Sequence, residues 1–196
     1  APSILSLAGI KPPDVMQGKA KFGKFKASSK TSYIFAASDR FDEKVDRLRA
    51  VRYKHFKYIR NFNPQISNAI PVLYREQMPM MRELNKLWKE NLLIKDHGLW
   101  FETPKPKEEL YDLTKDPYEL NNLADKISLK DTLFFLREVL DQWIVSTKDL
   151  GEYSERELLK KWVQGTKSRK LKPVSFKKQY RKITLEHIDS GSTILW

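Results

Sequence analysis

The chain has 196 residues, 40% of them apolar and 12% aromatic, which leaves room for one ordinary domain with extra segments and excludes a disordered chain. It has no cysteine, which excludes disulfides and thiolate zinc sites. Its three histidines, His55, His97 and His187, lie far apart in the sequence, which argues against a self-contained metal site. The formal net charge is +12, but ten Lys and Arg and no acid lie between residues 160 and 182, so this segment is either a solvated linker or a contact for an anionic polymer.

The first 30 residues predict a short helix and a long connection. The chain opens on Ala1 rather than Met, so we expect its natural start to lie upstream. Pro2 suits a first helical turn and Gly9 the end of that helix, and the Lys- and Ser-rich stretch that follows to Lys30 predicts a surface loop. No stretch of the chain approaches the roughly 18 uninterrupted apolar residues of a membrane helix, so we expect no membrane span.

The next segments predict an antiparallel sheet. Residues 33–37 form a short β-prone run, and residues 39–43 after it predict a charged loop. Residues 48–52 and 56–62 flank Tyr53-Lys54-His55 with alternating side chains, which is the pattern of a hairpin. This hairpin and the preceding strand form the first part of the sheet.

Residues 73–93 have the apolar spacing of a helix with one buried face, and Pro79 either bends that helix or marks its true start. Residues 99–102 and 109–113 then predict two further short strands, which gives four or five antiparallel strands in all.

The remaining helix signals are capping patterns. Asp116-Pro117 predicts a helical turn that breaks at Asn121-Asn122, and Ser128 with Asp131 and Ser154 with Glu157 predict the starts of two amphipathic helices. Near the end of the chain, Ile183 and Leu185 are predicted to pair with Ile194 and Trp196 across Ser190-Gly191-Ser192.

Residues 109–124 carry a resemblance to a known family. They read ELYDLTKDPYELNNLA, an apolar strand followed by a capping turn and paired asparagines, and this text is similar to that near the C-terminus of type I, formylglycine-dependent sulfatases. Residues 2–18, 49–61 and 136–149 resemble the same family in the order expected of it. The resemblance covers about residues 1–165 and points to heparan N-sulfatase-like members and bacterial carbohydrate sulfatases.

This resemblance implies an α+β fold, in which a small antiparallel sheet of about four strands packs on helices as the C-terminal subdomain of an alkaline-phosphatase-like sulfatase. Residues 1–30 would be the end of the catalytic α/β domain and a connecting loop, and residues 31–150 the C-terminal α+β subdomain. Residues 151–196 would be a C-terminal helix, a basic linker and the start of a β-hairpin or accessory β segment. The implied partners are the remainder of the catalytic domain and a sulfated carbohydrate, in a periplasmic or secreted parent.

The catalytic chemistry implied by the resemblance lies outside this chain. Family members use a Cys or Ser in a C/S-x-P-S-R text, oxidised to formylglycine, together with Ca²⁺ held by Asp and Asn. The sequence contains no such text, so we expect no catalytic residue, no metal ligand and no cofactor here. Calcium and formylglycine are expected of the parent enzyme, and the chain alone is predicted to be inactive.

The charged segment after the first strand is the predicted place of substrate contact. In related sulfatases, polar residues at this position approach the sugar, which nominates Asp39, Arg40, Asp42 and Glu43. Arg40 suits a carboxylate or sulfate group, and the aspartates suit sugar hydroxyls. The alternative is a surface loop whose Arg and Asp side chains pair with each other.

Five further residues have two interpretations each. Arg49 and Arg52 are either sheet-surface residues or part of a basic groove for sugar. Trp100, Phe101 and Tyr111 are either core aromatics or a platform on which a sugar stacks.

Two other functions compete with the sulfatase interpretation. The basic segment, with Phe176 and Tyr180 interleaved, is compatible with a nucleic-acid-binding module, although no helix-turn-helix, zinc or RNP text accompanies it. An accessory domain that only positions a later β-module is the third possibility. The ordered motifs favour a sulfatase region, for which we expect neither a nucleic-acid partner nor a membrane partner.

Overall fold

The computed structural model describes residues 1–28, 32–162, 174–179 and 182–186. The chain divides into two compact units, residues 1–149 and residues 150–196. The elements of the first unit are α1 (Pro2–Leu7), β1 (Tyr33–Phe41), β2 (Lys44–Tyr53), β3 (Phe56–Asn61), α2 (Pro79–Lys89), α3 (Lys95–Gly98), β4 (Glu108–Asp112) and α4 (Lys130–Thr147). Those of the second are α5 (Glu155–Trp162), β5 (Ser175–Gln179) and β6 (Lys182–Glu186).

The first unit is built on a four-stranded antiparallel sheet whose strands lie side by side in chain order, β1-β2-β3-β4. Val51 of β2 lies opposite Tyr58 of β3, which in turn lies opposite Leu110 of β4. Because side chains alternate along a strand, this register places the three residues on one face of the sheet. The predicted α+β class and the predicted number of strands are confirmed.

Helix α4 covers that face and completes the core. The buried core residues are Val51, Tyr58, Leu110, Leu133, Leu136, Leu140 and Ile144. The four helical members recur at spacings of three and four, as an amphipathic helix requires. At the edge of the core the ring of Phe35 stacks on Trp143, with ring centroids 4.9 Å apart. Each fully buried aliphatic side chain contributes about 1.5–3 kcal/mol relative to exposure, so this layer contributes substantially to the stability of the unit.

The segment between β3 and β4 lies against the other face of the sheet. Its Lys105 forms a buried ion pair with Asp46 of β2, and the two side chains are 1% and 3% exposed. Asn61 donates to Glu109 (2.5 Å), and the Tyr111 hydroxyl donates to the second oxygen of the same carboxylate (2.5 Å). Burial, followed by the hydrogen bond to Glu109, raises the pKa of Tyr111 well above its ordinary value. The polar groups that are buried on this face are therefore paired with one another.

The N-terminal connection folds back on α1. The Ser6 hydroxyl accepts a hydrogen bond from the Phe25 amide (2.8 Å), and the Ser3 hydroxyl accepts one from the Lys21 amide (2.9 Å). Gly23 has φ +85°, and a Cβ built on it would lie 2.5 Å from the backbone of Ser6, so only glycine fits this contact. The predicted long surface loop is thus held close to the helix that precedes it.

Of the predictions between residues 73 and 102, one alternative is confirmed and one prediction needs correction. Pro79 marks the true start of helix α2, which was one of the two alternatives, and a separate 3₁₀ turn at Arg75–Gln77 precedes the helix. The predicted strand at residues 99–102 is wrong, since α3 ends at Gly98 and the Phe101 amide donates to the Gly98 carbonyl. Phe101 is buried by stacking on Trp88 rather than by pairing in a sheet.

The capping predictions divide into three outcomes. Asp116 does cap, since its carboxylate accepts from the amides of Leu120 (3.1 Å) and Asn121 (2.8 Å), but it closes a turn and not a helix. The start signal at Ser128 is wrong, because α4 begins at Lys130 after a 3₁₀ turn and has no side-chain cap. The reciprocal cap of Ser154 and Glu157 is confirmed at α5.

The second unit contains a hairpin different from the predicted one. Ile183 and Leu185 pair with Lys178 and Phe176, so β5 lies within the segment that was predicted to be a linker. The predicted partners Ile194 and Trp196 lie outside the described residues. The three-part division of the chain stays a prediction.

Candidate functional site

The candidate site is the β1–β2 turn together with the strand ends that hold it. Strand β1 continues to Phe41, which pairs with Lys44, so Asp39 and Arg40 belong to a strand and not to a loop as predicted. The loop prediction fails because charged side chains next to a hairpin turn do not prevent the backbone from pairing with the neighbouring strand. A two-residue turn at Asp42 and Glu43 remains, with φ 54° at Asp42. The strand register is irregular between Ser38 and Arg40, which is where Asp39 lies.

Arg49 of β2 is the centre of the site. Its side chain is 0% exposed, which does not agree with the first of its two interpretations from sequence, a residue on the surface of the sheet. Its Nε and Nη2 donate to the two oxygens of Asp149 (2.7 and 2.8 Å), and Nη2 also donates to Asp39 Oδ1 (2.7 Å). Its Nη1 donates to the carbonyls of Ser38 (3.1 Å) and Leu48 (2.8 Å). Burial alone would lower the pKa of Arg49, but the hydrogen bonds to Asp149 and Asp39 outweigh it and raise that pKa.

Arg47 lies beside this cluster on the same face of β2. Its guanidinium lies over the ring of Phe62, 3.9 Å from the centroid, and its Nη2 is 3.5 Å from Asp149 Oδ2. The sequence analysis did not nominate Arg47, and it placed Asp149 only within a region of family resemblance. The alternation of β2 puts residues 47 and 49 on one face, but the partner carboxylate is 100 residues away from Arg49 in sequence.

The remaining turn residues are more exposed. The Asp39 side chain is 52% exposed, and Arg40 Nη1 donates to the backbone carbonyl of Asp42 (3.1 Å). Glu43 Oε1 accepts from the Leu73 amide (3.0 Å). Hydrogen bonds from its own amide and from that of Leu73 lower the pKa of Glu43. The turn therefore presents a carboxylate and a guanidinium on a backbone that is fixed from two sides.

Arg52 is not part of this cluster. It lies roughly 26 Å from Lys44 along β2, at about 3.3 Å per residue, and faces away from Arg49. Its Nε lies 3.4 Å from the Lys54 carbonyl, and the side chain is exposed. The structure thus brings together Asp39, Arg40, Asp42, Glu43 and Arg49, and leaves Arg52 at the other end of the hairpin.

Two of the nominated aromatics, Trp100 and Tyr111, differ in exposure. Tyr111 is 7% exposed, which agrees with its interpretation as a core residue. Trp100 is partly buried and lines a cavity of about 370 Å³ on the face of the sheet opposite α4. The guanidinium of Arg75 lies 5.0 Å from the Trp100 ring and 5.2 Å from the Phe41 ring, which connects this cavity to the turn.

A second charged cluster joins the sheet to α4. Arg137 Nε donates to Glu108 (2.7 Å), and the buried Tyr58 hydroxyl donates to the same carboxylate. Burial and the hydrogen bond to Glu108 raise the pKa of Tyr58 to about 12. Burial would raise the pKa of Glu108, but the hydrogen bonds from Arg137 and Tyr58 outweigh it and lower that pKa. This cluster links secondary elements and was not nominated from sequence.

Among the described residues, no group of three or more His, Asp or Glu is arranged to hold a metal ion. None of the helices in the described part of the chain is long and apolar enough to cross a membrane. The exposed groups of the turn are suited to bind a polar ligand through charge-assisted hydrogen bonds.

Comparison with known proteins gives two sequence relatives of this chain. No family model matches the chain. It is 44% identical over 166 residues to an ulvan-active sulfatase from Formosa agariphila, an alignment that covers 85% of this chain and 28% of the relative. A second ulvan-active sulfatase from the same organism is 27% identical over 155 residues, covering 76% of this chain and 28% of that protein. The chain therefore spans less than a third of either relative.

A comparison with solved structures matches the chain to a 2-O GAG sulfatase, with a TM-score of 0.47 and 21% identity over 76% of this chain and 24% of the other. Another match is a protein in complex with its substrate D-glucosamine-2-N,6-O-disulfate, with a TM-score of 0.47 and 17% identity over the same shares. The sequence relatives confirm the predicted relationship to sulfatases. They give no support to the nucleic-acid-binding alternative.

Proposed function

We propose that this chain, which is related to a sulfatase over 85% of its length, is the C-terminal region of a carbohydrate sulfatase. The observation that carries the proposal is the 44% identity over 166 residues. The relative is ulvan-active, so ulvan is the first substrate to test for the parent enzyme. In this proposal the chain supports the fold of the parent and forms one wall of its substrate cleft.

The β1–β2 turn is the part of the chain that we assign to substrate contact. Asp39 and Arg40 are the proposed ligands for sugar hydroxyls and for a carboxylate or second sulfate group. Support comes from the way the turn is held, since Arg49 fixes the Asp39 carboxylate and Glu43 fixes the turn to the Leu73 amide. A binding group that is already in place loses less entropy when the ligand arrives.

The reacting groups are assigned to the remainder of the parent. A formylglycine would supply the nucleophile and Ca²⁺ would neutralise the sulfate charge, both outside this chain. The proposed partner of the chain is the rest of that catalytic domain, and the proposed location is periplasmic or secreted.

The test is sulfate release from ulvan by the parent enzyme and its variants. We expect Asp39→Ala and Arg40→Ala each to raise KM about three- to tenfold with kcat little changed, because each removes a charge-assisted hydrogen bond to bound sugar. Arg82→Ala, an exposed arginine of α2, is the matched control and should leave both constants unchanged.

Two results would contradict separate parts of the proposal. A parent that releases no sulfate from ulvan or from any other sulfated polysaccharide would contradict the sulfatase assignment. Sulfate release with unaltered kinetics in both turn variants would leave that assignment in place and would remove the substrate-contact role of the turn.

A further inference from the structure

We infer that Arg49 is a positioning residue, which holds the Asp39 carboxylate in place for a ligand without touching the ligand itself. This deepens the proposed function and rests on it for the class of ligand, a sulfated saccharide. The sequence analysis gave Arg49 two roles, surface residue or sugar ligand, and the geometry points to neither.

The hydrogen-bonding capacity of Arg49 is used up inside the protein. A guanidinium has five N–H donors, and the two bonds to Asp149, the one to Asp39 and the two to backbone carbonyls account for all of them. The side chain is also 0% exposed. A ligand could therefore reach Arg49 only by displacing one of these partners.

The partners of Arg49 come from two distant parts of the chain. Asp149 directly follows the left-handed C-cap of α4 at Lys148 (φ 52°), and its amide donates to the Ile144 carbonyl (3.1 Å). Asp39 lies at the irregularity near the end of β1. Arg49 therefore ties the turn to the C-terminal end of α4, and the packing of that helix on the sheet decides where Asp39 lies.

Asp39 is suited to be the group that is positioned. Its bond to Arg49 uses Oδ1, and 52% of the side chain is exposed. The same guanidinium also holds the Ser38 carbonyl (3.1 Å), so the backbone on the N-terminal side of Asp39 is fixed together with its carboxylate. Irregularities of this kind re-aim a side chain at the edge of a sheet. The result is an exposed acceptor with a defined direction.

The kinetic test uses Arg49→Lys in the parent enzyme, because lysine keeps the charge but cannot bridge two carboxylates as a fork. With ulvan as the substrate, we expect KM to rise about three- to tenfold and kcat to stay within about twofold of the wild type. The matched control is Arg60→Lys, which weakens a similar sheet-to-helix pair, Arg60 with Asp141 of α4 (2.5 Å), away from the turn. This control should lower stability and leave KM unchanged.

A double variant separates positioning from general stability. If Arg49 acts through Asp39, Arg49→Lys combined with Asp39→Asn should raise KM no further than the larger single effect. Additive effects on KM, or an equal rise of KM in Arg60→Lys, would overturn the inference.

Amide hydrogen exchange in the full 196-residue chain tests the structural half of the inference without any enzyme activity. Arg49→Lys should speed exchange at residues 38–43 more than Arg60→Lys does, since of these two arginines it is Arg49 that bonds to that backbone, at the Ser38 carbonyl. Equal exchange in the two variants would overturn the positioning role. A parent without sulfatase activity, combined with faster exchange in Arg49→Lys alone, would contradict the proposed function and leave the positioning of Asp39 intact.

Discussion

At the scale of single residues, buried charges decide much of the structure. Arg49, Asp46 and Lys105 are each at most 3% exposed, and each has an oppositely charged partner. An isolated buried charge is costly, whereas a paired one is tolerated. Sequence identifies these residues as charged but gives no sign that they are inside, because Asp46 and Lys105 lie 59 residues apart and Arg49 and Asp149 lie 100 residues apart.

The Lys105–Asp46 pair leads to a stability prediction. Lys105→Met should lower the free energy of unfolding by about 3 kcal/mol, because it leaves a buried carboxylate without its cation. Lys107→Met, two residues away and exposed, should change it by less than about 0.5 kcal/mol. Urea unfolding of the full chain measures both, and equal losses in the two variants would contradict the assigned role of the pair.

Glu108 leads to a prediction about acid. Its pKa in the folded protein is lowered from 4.5, so its contribution to stability is fully present above about pH 4.5 and is lost as the pH falls through the folded pKa. Glu108→Gln cannot titrate, and its unfolding free energy should therefore fall less than that of the wild type between about pH 6 and pH 3. Urea unfolding across this range is the measurement, and parallel curves for the two proteins would refute the prediction.

At the scale of elements, local sequence signals succeeded where a side chain bonds to nearby backbone. Ser154 and Glu157 of the reciprocal cap are three positions apart in the chain, so their pattern specifies the start of α5. The loop predicted at residues 39–43 was too long, because β1 continues to Phe41 and pairs there with β2, which leaves a turn at Asp42 and Glu43. The strand predicted at residues 99–102 was wrong, because aromatic residues that are buried by ring stacking give a segment the same composition as a strand.

Helix α4 leads to a prediction about packing. Leu136→Ala should lower the unfolding free energy by about 3 kcal/mol, since the side chain is 0% exposed between the helix and the sheet. Val145→Ala on the same helix, where the side chain is 76% exposed, should cost less than about 0.5 kcal/mol. Chemical denaturation compares the two, and a similar loss for both would mean that α4 does not pack through the face described.

At the scale of the whole molecule, the chain matches 28% of the length of its sulfatase relatives. Its 196 residues include no C/S-x-P-S-R text and no cysteine. We therefore predict that the purified chain releases no sulfate from ulvan, whereas the parent enzyme does. Sulfate release by the chain alone, at a rate above that of the heat-unfolded chain, would contradict this.

The sequence by itself determined the antiparallel sheet and the relationship to sulfatases, because alternation, turn residues and the text of residues 109–124 are local in the chain. Only the tertiary structure decided that Arg49 is buried and that Asp39, rather than Arg49, is the exposed group of the pair. The reason is physical. An arginine on an amphipathic strand stays at the surface unless other segments supply acceptors that offset its desolvation, and Asp149 does so only once α4 has packed on the sheet.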